Sequence, residues 1–198
     1  MDSVSFYTKC FHQFGPEARA VGWQDRYRQR RRFQIFCDYY NFDNKSVLDI
    51  GSGLGDFYDY LKQLRYLVDY IGIDSCEVLV KSARLCYPLA FFEYTRLDQY
   101  NPDRLFDCVV ASGTFSYKAL DPIKFLKFNL QYAYQLTKSC FLFNFLSTKW
   151  PLSNQFNRFY YYDMQMVQDI CDQLLPKPQF VKLITNYLDG DVTVIIEK

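Results

Sequence analysis

At 198 residues, with 49% hydrophobic and 20% aromatic residues, the chain has the size and composition of one globular domain with a core rich in rings. Its formal net charge of +1 excludes a protein that relies on a strong overall field to hold nucleic acid, although it is compatible with a local basic patch. The seven cysteines form no Cys-x-x-Cys pair, there is one histidine, and no apolar run approaches the ~20 residues that span a bilayer, so we expect a cytoplasmic protein with no metal site and no membrane partner.

The expected organisation is a single domain over residues 1–198, with an N-terminal arm and helix over 1–42 and a core over 43–198. Residues 1–22 are predicted to be irregular or partly helical, and the apolar spacing predicts a helix over 23–40. The stretch RYRQRRR within it holds five arginines in seven residues. It is typical either of a solvated helix face with one or two arginines turned inward or of an RNA-docking patch.

Strands and helices alternate through the rest of the chain. Apolar runs predict strands over residues 47–50, 70–73, 90–94, 106–111, 140–146, 180–185 and 192–197. Helical spacing predicts helices after the first of these strands, over 76–86, after Asp121-Pro122 and over 164–174. Residues 147–162 are too aromatic for an ordinary linker and are predicted to be a covering segment. The pattern favours a Rossmann-like, mainly parallel α/β sheet that ends in an antiparallel hairpin around Asp189-Gly190.

The first predicted strand leads into the sequence VLDIGSGLG, in which glycines occupy three alternate positions, Gly51, Gly53 and Gly55. A dinucleotide fingerprint would place glycine where Asp56 stands, and a P-loop would need a following Gly-Lys-Ser/Thr. Acids on both sides of the loop, Asp49 and Asp56, would also repel a phosphate. The stretch instead resembles motif I of the class I S-adenosylmethionine-dependent methyltransferases.

That resemblance covers residues 47–198 and implies a seven-stranded sheet, with S-adenosyl-L-methionine as methyl donor and S-adenosyl-L-homocysteine as product. It implies that Asp74, at the end of the second strand, accepts the ribose hydroxyls, with a helix N-cap as the alternative. Asp98 would hold the adenine amino group, or otherwise form an Asx turn. Asp49 would lie near the cofactor's amino group, or otherwise anchor N–H groups of the loop.

The arm contains His12, Gly15, Ala20, Val21, Gly22, Trp23 and Arg32-Phe33. In these residues it resembles the start of small bacterial class I methyltransferases of undefined function, in which the arm folds over the cofactor. Trp23 and Arg32 would then close the pocket, the alternatives being core packing of Trp23 and solvent exposure of Arg32. After the fourth strand, the small residues of Ala111-Ser112-Gly113-Thr114 would let the cofactor's methionine part and the substrate approach, and Phe115 would contact the ring or the sulfonium, with simple turn chemistry as the alternative. The implied cofactor-binding set is Trp23, Arg32, Asp49, Gly51, Ser52, Gly53, Gly55, Asp74, Ser75, Asp98, Ala111, Ser112, Gly113 and Phe115.

The acceptor side is less defined. Its candidates are His12, Asn144, Tyr161 and Tyr162, and Asn144 has a satisfied structural hydrogen bond as its alternative. We expect methyl transfer to a small molecule. The alternatives are an RNA or protein methyltransferase that docks through the arginine-rich helix, and a non-catalytic cofactor-binding partner. The sequence leaves open the acceptor atom, any general base and the oligomeric state.

Overall fold

The computed structural model describes residues 2–23, 25–151 and 155–198. The α-helices are α1 (Ser3–Phe14), α2 (Arg26–Tyr39), α3 (Asp56–Gln63), α4 (Glu77–Cys86), α5 (Pro122–Gln135) and α6 (Met164–Asp172). The strands are β1 (Lys45–Ile50), β2 (Val68–Asp74), β3 (Phe91–Tyr94), β4 (Phe106–Ala111), β5 (Thr137–Leu146), β6 (Phe180–Ile184) and β7 (Asp191–Glu197).

The strands form one sheet in the order β3-β2-β1-β4-β5-β7-β6. β1 pairs with β2, β2 with β3 and β4 with β5 in parallel, whereas β7 runs antiparallel to both β5 and β6. This confirms the predicted α/β fold and its terminal hairpin. The chain divides into two compact units, Met1–Asn101 and Pro102–Lys198, so the arm and the glycine loop belong to the same unit. Within the described part of the chain, no helix combines the length and the apolar character needed to cross a bilayer.

The first unit contains more helix than the sequence predicted. Residues 3–14 form α1, because Asp2 caps its N-terminus by accepting the N–H of Ser5 and Gly15 ends it with a φ of 66°. α1 packs against α4. The predicted second helix begins later than expected, at Arg26, where the Asp25 side chain accepts the N–H of Arg28.

The second unit is built on β5, which lies between a parallel and an antiparallel neighbour and is buried almost throughout. The described end of the predicted covering segment, residues 155–162, makes an antiparallel bridge between Phe159 and Tyr117. The N–H of Tyr160 donates to the carbonyl of Ser116 at 2.8 Å, and the N–H of Lys118 donates to the carbonyl of Arg158 at 3.0 Å. The segment is therefore held by backbone hydrogen bonds to residues 116–118, which follow β4. Residues 152–154 of the predicted segment lie outside the described residues.

Candidate functional site

The loop between β1 and α3 needs its three glycines. Gly51, Gly53 and Gly55 have φ values of 72°, 56° and 81°, which L side chains rarely adopt. A Cβ on Gly55 would lie 2.8 Å from Cζ of Phe92 and 2.9 Å from Cδ2 of Tyr87. Both the backbone conformation and the packing therefore require glycine at position 55.

The N–H groups of this loop are bound by the protein itself. Gly51 and Ser52 both donate to the carbonyl of Ile73, at 2.8 and 3.0 Å, and Gly55 donates to the carbonyl of Ser52 at 2.9 Å. Gly53 donates to the Asp74 carboxylate at 2.9 Å. These N–H groups are not left to cradle a phosphate, which agrees with the exclusion of a P-loop from the sequence.

Asp74 ties the loop to the start of α4. Its Oδ2 accepts the N–H of Gly53 and its Oδ1 accepts the N–H of Cys76 at 2.7 Å. Burial raises the pKa of Asp74, while hydrogen bonds from the backbone of Cys76, Gly53 and Ser75 act in the opposite direction. A carboxylate has about four lone-pair positions, so these bonds leave acceptor capacity for ligand hydroxyls. Asp74 is not the N-cap residue of α4, a position that Cys76 occupies, so the N-cap alternative is wrong, and the predicted ribose role stays a prediction.

Negative charge is concentrated around the loop. Asp49 is 3% exposed, and burial, opposed by a hydrogen bond from Tyr70 and reinforced by the charges of Asp74 and Asp56, raises its pKa to about 7. Asp56, in the first turn of α3, accepts a hydrogen bond from Gln29 Nε2 at 2.8 Å, and its pKa is also raised, chiefly by burial. A cationic ligand would relieve the repulsion among these groups.

Ser52 has a buried hydroxyl whose hydrogen-bonding capacity is not satisfied by the described part of the chain. The residue is 7% exposed, and its Oγ has no hydrogen-bond partner among the described residues. It lies over Gly72 of β2, where a Cβ would come within 2.8 Å of this oxygen. A buried hydroxyl without a partner is costly in a folded protein and is expected where a ligand completes the site.

The arm covers the loop within the first unit. Ala20 lies in a buried apolar cluster with Leu54 of the loop, Cys76 at the N-cap of α4 and Leu79 of α4. Val21 packs so closely that a Cβ on Gly53 would lie 3.0 Å from its Cγ1. These two contacts could not be predicted from the residues alone, because each depends on the path by which the arm returns to the loop.

Trp23 and Arg32 lie against each other. The Arg32 guanidinium carbon is 3.8 Å from the centre of the Trp23 ring, and Arg32 is 3% exposed. The expected alternative of a solvent-exposed Arg32 is therefore wrong, and Arg32 is one of the arginines turned inward. That the pair closes a cofactor pocket stays a prediction.

Two predicted residues of the first unit lie on its surface. Asp98 follows β3 and is exposed, and both of its oxygens accept hydrogen bonds from the Arg96 guanidinium at 2.9 Å, which lowers its pKa. It makes an ion pair there rather than an Asx turn, and its adenine role stays a prediction. His12 is exposed on α1, and its ring centre lies 6.3 Å from that of Phe11. In the part of the chain that the structure describes, no group of histidine, cysteine and acidic side chains could hold a metal ion.

In the second unit, Asn144 braces the loop that follows β4. Its Oδ1 accepts the N–H of Gly113 at 2.7 Å, and its Nδ2 donates to Ser112 Oγ at 3.2 Å. Asn144 is 1% exposed and Gly113 has a φ of 73°. The structure therefore shows the satisfied hydrogen bond that was the alternative to pocket lining, and any influence of Asn144 on an acceptor passes through this loop.

Aromatic side chains near this loop differ in exposure. Phe115 is 1% exposed and packs against Phe125 and Phe143, so its ring belongs to the core, as does the fully buried Ala111. Tyr162 is fully buried, and its hydroxyl donates to the Phe115 carbonyl at 3.0 Å. The half-buried Tyr161 accepts the N–H of Phe156 at 2.9 Å. Of the two tyrosines, only Tyr161 is partly accessible.

Comparison with known proteins decides what the glycine loop belongs to. A family model described as a methyltransferase domain matches residues 23–136, which include α2, the loop, Asp74 and β4. The chain belongs to the class I S-adenosylmethionine-dependent methyltransferases. It is an enzyme whose methyl donor is S-adenosyl-L-methionine.

Individual relatives agree with this family. A Mycobacterium tuberculosis protein that carries a provisional methyltransferase name is 29% identical over 164 residues, which cover 79% of this chain and 95% of that protein. Magnesium protoporphyrin IX methyltransferase from Synechocystis, solved with S-adenosylhomocysteine, has a TM-score of 0.67 at 14% identity and covers 86% of this chain and 83% of its own. The plantazolicin methyltransferase BpumL, also solved with S-adenosylhomocysteine, has a TM-score of 0.63 at 16% identity and covers 98% of this chain and 89% of its own. These two structures support the fold.

The loop of this methyltransferase fits the donor on its own chemistry. The unsatisfied Ser52 hydroxyl can bond a polar ligand group, Asp74 has acceptor capacity for hydroxyls, and the acidic surroundings suit a sulfonium and an ammonium group. Sequence reasoning missed Tyr70 and Gly72, which lie beside these groups. Their alternation along β2 with Asp74 was the signal, because residues two apart share one face of a strand.

Proposed function

We propose that this methyltransferase transfers the methyl group of S-adenosyl-L-methionine to a small-molecule acceptor. When bound, the donor supplies a methyl group on a positively charged sulfur. An acceptor atom would attack this methyl group in line with the carbon–sulfur bond, and S-adenosyl-L-homocysteine would leave with the sulfur. Alignment of the reacting atoms can contribute about 7 to 11 kcal/mol to such a step without a metal or a covalent intermediate. The chain's task is then to bind, to orient and to exclude water.

The donor would be held by the first unit. Asp74 would accept its ribose hydroxyls, Asp49 would face its α-ammonium group, and Ser52 would donate to or accept from a polar group close to the loop. The raised pKa of the buried Asp49 supports this assignment, because an ammonium ion beside it would favour its charged form.

The observation that carries the acceptor proposal is the fastened aromatic segment. Residues 155–162 are tied to the chain after β4 by the two backbone bonds at Tyr160 and Lys118, and they present exposed or half-buried rings of Phe156, Phe159 and Tyr161. Rings on a hydrogen-bonded segment make a defined apolar surface at low entropic cost. Such a surface suits a compact, partly apolar acceptor. Similarity to methyltransferases named for magnesium protoporphyrin IX and plantazolicin is compatible with this class.

The arginine-rich helix supports an RNA acceptor less well. Arg30 donates to Gln63 at 2.7 Å and lies over the Tyr60 ring, and Arg31 donates to Gln34 at 2.9 Å. With Arg32 packed against Trp23, these guanidinium groups serve contacts inside the first unit. Phosphate contacts would have to replace them.

The test is transfer of an isotopic label. Purified enzyme is given S-adenosyl-L-methionine with a labelled methyl group, together with a low-mass metabolite extract, total RNA or total protein in separate reactions, and the Asp74→Ala variant is the control for background. We expect label in low-mass products only, and only with the unaltered enzyme. Label in RNA or protein, with none in the low-mass fraction, would overturn the proposal.

A further inference from the structure

A tyrosine of β2 is bonded to the buried acid of β1. The Tyr70 hydroxyl donates to Asp49 Oδ2 at 2.5 Å, with Tyr70 4% and Asp49 3% exposed. A hydrogen bond to an ionised group in such a buried place is among the stronger interactions available to a side chain.

Strand register explains how the two groups meet. Val47 pairs with Tyr70 in the parallel β1–β2 ladder, and Asp49 pairs with Gly72. Val47 and Asp49 share a face of β1, and Tyr70 lies on that face as the neighbour of Val47. Two residues of a strand advance about 6.6 Å, close to the reach of a tyrosine side chain, so the Tyr70 hydroxyl arrives beside the Asp49 carboxyl.

The charges that face Asp49 from its neighbours oppose its ionisation. Burial is the largest cause that raises the pKa of Asp49, and the charges of Asp74, at the end of β2, and Asp56, at the start of α3, raise it further. The Tyr70 hydrogen bond acts in the opposite direction. The pKa of Tyr70 is itself raised well above 10, chiefly by burial, so this hydroxyl remains a donor at neutral pH.

We propose that Tyr70 is a positioning residue for the methyl donor: its hydroxyl fixes the Asp49 carboxyl beside loop 51–55 and keeps it as the carboxylate that receives the donor's α-ammonium group. The inference rests on the proposed binding of the donor at this loop. Tyr70 itself need not touch the ligand. In its absence Asp49 would be buried beside two other acids with its main favourable partner removed, and protonation would be its cheapest response.

The direction of the pH effect follows from the pKa of Asp49. With a value of about 7, Asp49 loses its charge as the pH falls through neutrality. Replacing Tyr70 by phenylalanine removes the bond that lowers this pKa, so the loss of charge moves to higher pH. Affinity for a ligand with an ammonium group should therefore fall at a higher pH in the variant than in the parent enzyme.

The experiment compares two ligands by calorimetry between pH 6 and 9. S-adenosyl-L-homocysteine carries the α-ammonium group, and 5′-methylthioadenosine lacks it. For Tyr70→Phe at pH 7 we expect the affinity for S-adenosyl-L-homocysteine to fall on the order of tenfold, as for loss of one buried hydrogen bond to a charge, with the affinity for 5′-methylthioadenosine unchanged. The midpoint of the pH profile for the first ligand should move upward.

Two variants control for packing and for pathway. Tyr58→Phe removes a hydroxyl from the tyrosine whose ring centre is 5.0 Å from that of Tyr70, and it should leave both ligands and the pH profile unaffected. In an Asp49→Asn background, Tyr70→Phe should no longer discriminate between the ligands. If Tyr70→Phe fails to fold, the parent enzyme is compared with Asp49→Asn, and only the parent should show a pH-dependent preference for S-adenosyl-L-homocysteine over 5′-methylthioadenosine.

Equal weakening of both ligands by Tyr70→Phe, or an unshifted pH profile, would overturn the positioning role while leaving the donor site intact. Failure of the parent enzyme to bind either ligand would instead reject donor binding itself.

Discussion

Two loops of this methyltransferase follow buried parallel strands and are rich in small residues, yet their polar groups are used differently. In loop 51–55 of the first unit, the buried hydroxyl of Ser52 has no hydrogen-bond partner within residues 2–23, 25–151 and 155–198, and the nearby Asp49 has its pKa raised to about 7 by burial. In the loop after β4, Asn144 bonds both the Gly113 N–H and the Ser112 hydroxyl. Loop 51–55 therefore has a hydroxyl available to a ligand, whereas the polar groups of Ser112 and Gly113 in the second loop are bonded to Asn144.

The difference shows which polar groups would gain a hydrogen-bonding or charged partner from a ligand. Buried polar groups in a folded protein are nearly always satisfied, so a partnerless hydroxyl beside crowded carboxylates indicates a place that gains free energy when a complementary molecule binds. The loop after β4 would not gain free energy in this way, because Asn144 already satisfies these polar groups. Substitutions around loop 51–55 should therefore lower the affinity for the ligand, and substitutions around the loop after β4 should lower the stability of the fold.

The largest expected loss of ligand affinity is at Asp74, whose carboxylate bonds to Gly53 of loop 51–55. Asp74→Ala takes away the proposed ribose acceptor and leaves the Gly53 and Cys76 N–H groups without their carboxylate. We expect the dissociation constant for S-adenosyl-L-homocysteine, measured by calorimetry, to rise by about a hundredfold or more, as for loss of two hydrogen bonds to a charged group. Asp103→Ala, an exposed acid of the second unit, is the matched control and should bind normally. A change below tenfold at Asp74 would contradict the site.

A smaller effect, and one of another kind, is expected at Asn144. Asn144→Ala leaves a buried loop N–H and a serine hydroxyl without their partner, so the free energy of unfolding should fall by about 2 kcal/mol in urea titrations. Affinity for S-adenosyl-L-homocysteine should change far less than in Asp74→Ala. Asn129→Ala, which removes a buried amide bonded to the Phe125 carbonyl of α5, is the control for generic destabilisation. A loss of affinity at Asn144 as large as that at Asp74 would remove the distinction between the loops.

The sequence predicted what is encoded locally. Alternate glycines imply positive φ values, and the spacing from Gly55 to Asp74 follows from one helix between two parallel strands. The bond between Tyr70 and Asp49 could not be predicted in the same way, because it joins residues 21 apart and depends on the register of two strands. The hydrogen bond from the Gly113 N–H to Asn144 joins residues 31 apart and could not be predicted for the same reason. For residues 1–22 the sequence predicted only an irregular or partly helical arm, and it did not locate the helix over residues 3–14, whose N-cap signal is the single residue Asp2.

The smallest expected effect concerns Asp98, which tests how far the donor site extends from the loop toward the surface. Both of its oxygens already accept bonds from Arg96, and the residue is exposed, so water competes for any further contact. If it accepts the adenine amino group, the net contribution should be small. We expect Asp98→Ala to weaken S-adenosyl-L-homocysteine binding by about threefold, less than for a buried hydrogen bond to a charged group, because water competes at this exposed carboxylate.

The base of the ligand separates an adenine contact from a general effect of charge. S-inosyl-L-homocysteine has a carbonyl where S-adenosyl-L-homocysteine has the amino group, so it offers Asp98 an acceptor instead of a donor. The parent enzyme should prefer the adenine ligand, and Asp98→Ala should lose part of that preference because the inosine ligand is not weakened. If both ligands change equally, or neither changes, Asp98 only pairs with Arg96, and the donor site ends at the residues that surround the glycine loop.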